Sequence, residues 1–299
     1  MYSIYLLVNI FLVNQCSLMT KYKARPITTK FWKPKDDFLL GIVKAVTDKI
    51  KDDDFIVVSE KAIATAQGNI VDEEKSIANS NAKFLARFWM RIIWGYPLGI
   101  MCHFGQRLLE RLRQYPFELG SKHKQVVLEW AGLGQSLMFG SEGAIDGSNL
   151  PYSLVSLPLM NAQIIAEQIR MEIQRCFGKI VCVMVVDTDK TYRFRNFCFT
   201  PRVRPFEGIH SFNQFALLPY ITGKFLKLRE SSTPLAVAGG NLDILEALKI
   251  ANIADKVRGA GSGATVWDMA SRFHVSLNNV TWNMLCQVEH TPVVIVRKT

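Results

Sequence analysis

Two short segments place a carboxylate where the chain turns, among small or hydroxylic neighbours that leave room for a ligand. One runs from Gly140 to Asn149 and carries Asp146; the other is Asp187-Thr188, directly after the apolar run Ile180 to Val186. Mg²⁺ and Mn²⁺ take oxygen ligands, commonly one or two carboxylates, with water and substrate phosphate in the other positions. Asp146 and Asp187 have the chemistry for such a pair. Asp beside Gly, Ser and Asn is equally ordinary turn chemistry. A third segment, Arg258-Gly-Ala-Gly-Ser-Gly263, precedes a helix that Thr265 would cap, and glycines in that position let backbone N–H groups approach an anion. It is not a P-loop, because Ala264 stands where a Walker lysine belongs and a helix precedes it instead of a strand. A plain interhelical turn is the alternative.

The elements that must position these residues follow from periodicity. Leu39, Ile42, Val43, Val46 and Ile50 recur at helical spacing over Phe38 to Ile50, and Phe55 to Val58 is a short β-branched run that reads as a buried strand. Glu60 and Lys61 follow that strand, as a solvated pair or as groups facing a site, before a turn at Gly68-Asn69. Ala162, Ile165, Ile169, Ile173 and Phe177 define a helix that Gly178 ends. Ile180 to Val186 reads as a central strand with Asp187 at its carboxyl end, where ligands bind in sheets flanked by helices. Further helices are expected over Gln106 to Arg113, with its arginines as a wet face, over Asn241 to Val257 and over Thr265 to Phe273. Pro292 to Val296 reads as a closing strand. Phe84 to Phe104 is rich in apolar residues, but Arg87, Arg91 and Pro97 interrupt it, which points to a core helix or a dimer-interface hairpin instead of a membrane span.

Composition bounds the function. With 49% hydrophobic and 21% charged residues the chain folds, and the net charge of +10 favours an anionic partner. No zinc-knuckle spacing or aromatic RNA-binding signature points to nucleic acid. The six cysteines form no CxxC pair and the five histidines no HExxH, so reduced thiols in a cytoplasmic protein are expected and a zinc site is not. Tyr2 to Leu18 is apolar, lacks a basic n-region and precedes Met19; it reads as sequence upstream of the true start, with a signal anchor as the alternative. The basic, aromatic stretch Tyr192 to Glu230 suggests a groove for a negatively charged substrate, or exposed strand ends.

In order along the chain, Lys33 to Asp37, Val57 to Lys61 and on to Gly68, Ala144 to Asn149, the helix from Asn161, the strand ending at Asp187-Thr188 and Pro292 to Val296 resemble the coenzyme F-420:L-glutamate ligase family, also called F-420-0:gamma-glutamyl ligases. The resemblance implies an α+β fold of two intimately associated mixed α/β domains, assembled as an intertwined homodimer. It places a leader at 1–18 outside one ligase-like unit at 19–299, with helical insertions at about 82–118 and 264–290. It further implies a ligase that uses GTP and Mg²⁺ or Mn²⁺ to join L-glutamate to the carboxylate of a deazaflavin precursor. By motif, Asp146 and Asp187 become the catalytic carboxylates and, with Thr188, metal ligands. Glu60, Lys61, Asn149, Gly259, Gly261, Ser262 and Gly263 become nucleotide contacts, with Thr29 to Trp32 nearby. Small-molecule substrates are the implied partners.

Two departures from the family pattern bear on the chemistry. The aromatic-glycine-arginine continuation after Asp187-Thr188 is replaced by Asp189-Lys190-Thr191-Tyr192, and Thr65 stands where a lysine is common. A ligase for another acidic acceptor, or a nucleotide-binding scaffold without catalysis, is therefore the alternative.

Overall fold

The computed structural model describes residues 21–140 and 142–299; the leader at 1–18 lies outside them. Nine strands are described: β1 (Tyr22–Thr29), β2 (Phe55–Ser59), β3 (Ile70–Asp72), β4 (Leu154–Ser156), β5 (Cys182–Phe194), β6 (Phe197–Thr200), β7 (His210–Ser211), β8 (Arg229–Ala238) and β9 (His290–Lys298). Seven of them form one mixed sheet in the order β1-β9-β2-β5-β6-β7, with β8 also paired to β5, and β3 and β4 form a separate two-stranded sheet. β2 and β5 run parallel, while β9 pairs antiparallel with both β1 and β2. The fold is α+β.

Alternation along the central strands sends side chains to two cores. On one face Ile56, Val58, Val183 and Val185 pack with Ile42 and Val46 of the Phe38–Val46 helix and Ile165, Ile169 and Ile173 of the Ala162–Phe177 helix. On the other, Val57, Met184 and Val186 meet Ala247, Ile250, Ala251 and Ala254 of the Ile244–Arg258 helix. Full burial of such a side chain contributes about 1.5–3 kcal/mol. The Ala162–Phe177 helix ends as its sequence dictates, with Gly178 at φ +64.

Several expectations need correction. The polar residues after β2 do not form a simple turn: Glu60–Gln67 is a helix that Gly68 closes at φ +74. The central strand does not stop at Val186 but continues to Phe194, and its pairing with β8 slips between Asp187 and Lys190. Pro97 does not break the chain. It lies inside a wide helix, Leu85–Leu98, whose i→i+5 geometry absorbs the missing N–H, and Arg113 Nε donates to the Gly95 carbonyl at 2.9 Å. Helices occupy most of the chain from Ser80 to Ser136, beyond the expected insertion boundary near 118, and surround a core containing Met90, Trp94 and Leu112. Arg111 and Arg113 are not a wet face, since Arg111 pairs with Asp268 at 2.9 Å and Arg113 lies over the Tyr96 ring. Among the described residues no helix is long and apolar enough to cross a membrane.

Candidate functional site

Parallel pairing of β2 with β5 ends at Ser59 opposite Val186, so Lys61 and Asp187 both emerge just beyond the carboxyl ends of two neighbouring strands. A crevice there is the expected place for a ligand. Asp187 is fixed from behind by Arg202, whose Nε donates to Asp187 Oδ2 at 2.7 Å while a terminal nitrogen donates to Glu60 Oε1 at 2.6 Å. Glu60 also accepts from the Leu159 N–H at 2.7 Å. Arg202 is only 2% exposed, so this is a buried carboxylate–guanidinium–carboxylate cluster. Burial opposes charge on Asp187, but the Arg202 guanidinium outweighs it and holds the carboxyl below its usual range. At Glu60 burial wins and raises the carboxyl, with Arg202 offsetting only part of it.

Asp146 is held differently. Its backbone bridges Ser156, with the Ser156 N–H donating to the Asp146 carbonyl at 3.0 Å and the Asp146 N–H returning to the Ser156 carbonyl at 3.3 Å. Its carboxylate accepts from the Ser148 N–H at 2.7 Å, as in an Asx turn, and pairs with the Lys61 ammonium. Lys61 Nζ also reaches Ser148 Oγ at 2.7 Å. The Lys61 and Asp146 side chains are 21% and 38% exposed, so this pair sits at the wall of the cleft and not behind it.

Asn149 anchors the glycine-rich loop. Its Oδ1 accepts from the Ser262 N–H at 2.7 Å and the Ser262 hydroxyl at 2.6 Å, and its Nδ2 donates to the carbonyls of Ala260 and Gly263 at 3.3 and 3.4 Å. Gly261 makes that approach possible: it has φ +61, and a Cβ there would lie 2.6 Å from Asn149 Oδ1. Thr265 caps the following Val266–Phe273 helix by accepting from the Asp268 N–H at 3.2 Å.

These pieces enclose one cleft of about 410 Å³, lined by Lys61, Asp146, Asn149, Asp187, Thr188 and the whole loop from Gly259 to Gly263. Phe31, Trp32 and His290 form its aromatic end, with the His290 ring 4.7 Å from that of Phe31. Burial pushes the His290 imidazole down to about 4, so it is neutral there. Asp146 and Asp187 also line a small cavity of about 20 Å³ beside Glu60. The donors offered to a hard cation are all oxygen: the two carboxylates and the Thr188 hydroxyl, which lies 3.5 Å from Asp187 Oδ1. Among the described residues no group of three His, Cys, Asp or Glu side chains gathers to hold an ion. The set therefore fits a cation whose shell is completed by water and phosphate, not a closed structural site.

Of the nucleotide-binding residues expected from the sequence, Glu60 alone does not line the main cleft; its carboxylate is spent on Arg202 and the Leu159 N–H. The expected anionic groove from Arg193 to Arg204 is not part of this cleft either. Arg202 turns inward, Arg195 lies over the Phe194 ring and Arg204 contacts Met160. Arg202 is the functional residue that sequence reasoning missed. Lys190, Lys256 and Arg258 also line the cleft. Thr65 faces it, its hydroxyl tied to the Lys61 carbonyl at 2.8 Å.

A mixed sheet whose parallel strand ends meet two carboxylates, a lysine and a glycine-rich loop defines a phosphate-handling α+β protein. Residues 26–263 match the family model described as F420-0:Gamma-glutamyl ligase, and the chain belongs to that family of ligases. The chain is also 33% identical over 287 residues to an uncharacterized protein of Methanocaldococcus jannaschii, a match covering 92% of this chain and 96% of that one. The helices between 264 and 290 lie beyond the span of the family model.

Proposed function

We propose that the protein is a GTP- and divalent-metal-dependent ligase that joins L-glutamate, through an amide bond, to the carboxylate of the deazaflavin precursor F-420-0. The observation that carries this reading is the convergence of Asp146, Asp187, Thr188 and the Gly259–Gly263 loop on one cleft, in a chain of this family. A carboxylate is a poor acyl donor. Its oxygen attacks the γ-phosphorus, the bond to the β–γ bridging oxygen breaks, and GDP leaves with the electron pair. The glutamate amine then attacks the acyl carbon, phosphate departs, and the amine proton goes to solvent.

Mg²⁺ or Mn²⁺, held by Asp146, Asp187 and Thr188, would neutralise charge on the phosphate oxygens. Lys61 exchanges its bond to Asp146 for the polyphosphate, and Asn149 acts by holding the glycine loop against it. Arg202 keeps Asp187 ionised and correctly aimed. Positioning and electrostatics supply the acceleration, and no Cys or Ser nucleophile is needed. A homodimer is part of this proposal: Phe84, Phe88, Ile92, Tyr96 and Ile100 recur every four residues along one helical stretch and are all exposed, which suits a partner subunit.

Purified protein incubated with GTP, Mn²⁺, L-glutamate and F-420-0 should yield a product heavier by one glutamyl unit in mass spectrometry. No product under conditions in which a known ligase works removes the assignment. The second reading, nucleotide binding without ligation, is favoured by Thr65, which brings no cation to the cleft; calorimetry showing metal-dependent GTP binding without turnover would select it.

A further inference from the structure

A second chamber, of about 350 Å³, opens on the other side of Asp146. Tyr115, Phe139, Tyr152, Tyr220 and Trp267 line it, contributed by the helical region after Ser80, the segment before β4, the helix after β7 and the helix that follows the glycine loop. Asp146, Thr188, Lys190 and Ala264 line both this chamber and the main cleft, so the two meet at those residues. Nothing in the sequence brought these walls together.

The charges are distributed unevenly along the chamber. At one end His123 lies between Glu73 and Glu142, at 2.5 and 3.3 Å, and Glu142 also takes the fully buried Lys124 ammonium at 2.9 Å. Two carboxylates thus face two cations, because the two acids outweigh burial and push the His123 imidazole up to about 10. That end is charge-balanced and offers no net attraction to an anion. At the junction with the cleft, Lys190 has only long contacts of 3.4 Å to Ser232 Oγ and Asp255 Oδ2. A lysine held so loosely is available to an incoming carboxylate.

We infer that this chamber is the acceptor's seat, and that the acceptor is a carboxylic acid carrying an uncharged, planar ring system. The ring lies among the aromatic walls and the carboxylate meets Lys190 at the junction, beside the γ-phosphate expected over Asp146 and Asp187. Aromatic walls favour a planar ring by stacking and edge contacts, and the neutral far end disfavours a second anionic group there. The inference rests on the ligase reading for what happens at the junction, but the ring-binding chamber stands without it.

The test measures equilibrium binding, which needs no turnover. F-420-0 is titrated into the intact protein with deazaflavin fluorescence as the readout, and Mn²⁺·GTP is titrated separately by calorimetry. Leu119→Trp, which adds bulk at a chamber wall, and Trp267→Ala, which removes one, should each weaken F-420-0 by about tenfold. Both variants should keep the wild-type melting temperature and the wild-type affinity for Mn²⁺·GTP. Unchanged F-420-0 affinity in both would overturn the chamber while leaving the ligase reading intact. If wild type ignores F-420-0 but binds 4-hydroxycinnamate, and both variants lose that binding, the chamber holds and the deazaflavin assignment fails. Binding of neither probe, alongside normal Mn²⁺·GTP binding, sinks the chamber alone.

Discussion

Asp146 and Asp187 line the same cleft, yet the protein holds them by opposite means. Asp187 stands at a strand end with a buried arginine bonded to it and to Glu60; Asp146 stands on a turn with a partly exposed lysine as its partner. A buried guanidinium between two carboxylates has nowhere to go. A lysine at a cleft wall is free to exchange one anion for another. The difference separates a fixed reference point from an adjustable one, which suits a site that must keep its geometry while a charged substrate enters and leaves.

The largest effect belongs to the fixed half. Arg202→Met leaves Glu60 and Asp187 buried without their cation and should cost about 3–5 kcal/mol in urea unfolding, the usual range for breaking a buried ion pair. A loss comparable to that of a surface pair would erase the distinction drawn here. The two histidines come next and titrate with opposite sign. His123 is raised from 6.5 to about 10, so its contribution is complete below pH 6.5 and is lost as pH rises through 10. His290 is lowered from 6.5 to about 4, so the unfolded chain binds the extra proton and stability falls as pH drops from 6.5 to 4. Melting temperature should therefore decline on both sides of neutrality, and His123→Gln should flatten only the alkaline limb. Symmetric flattening would contradict the assignment.

Gly261→Ala forces a side chain into φ +61 against Asn149 and should cost about 1–3 kcal/mol, loosening the loop and weakening GTP in calorimetry. The smallest stability effect is that of Lys61→Met, under about 1 kcal/mol because the pair is partly solvated. Its effect on Mn²⁺·GTP affinity should be much larger, about tenfold to a hundredfold, for loss of a charge-assisted contact. A variant that is destabilised but binds nucleotide normally would reverse the roles assigned to the two halves.

Much of the frame was legible in the sequence because it rests on local patterns. The 3.6-residue spacing from Ala162 to Phe177 and the apolar run before Asp187 both describe real elements, and Thr265 caps the helix it was expected to cap. β1 was missed because it is an edge strand carrying Lys23, Arg25 and Pro26, and β8 because Ser231 to Pro234 dilute its apolar run. The Glu60–Gln67 helix was missed because its first two residues look like a solvated pair, whereas one is buried against Arg202. Arg202 sits in a basic stretch that reads as surface, and its partner Glu60 is 142 positions away. The chamber walls at Tyr115, Phe139, Tyr152, Tyr220 and Trp267 likewise share no local signal; only tertiary packing of the helical segments brings them together.

The central claim is that Asp146 and Asp187 share one cation and the polyphosphate it carries. Electron paramagnetic resonance of Mn²⁺ titrated into the protein with GTP tests it, comparing wild type with Asp146→Asn, Asp187→Asn and the double variant, each first checked for native near-UV circular dichroism. Loss of the bound Mn²⁺·GTP signal in each single variant, with little further loss in the double, is the predicted result. Full Mn²⁺·GTP binding by either folded single variant would contradict the claim.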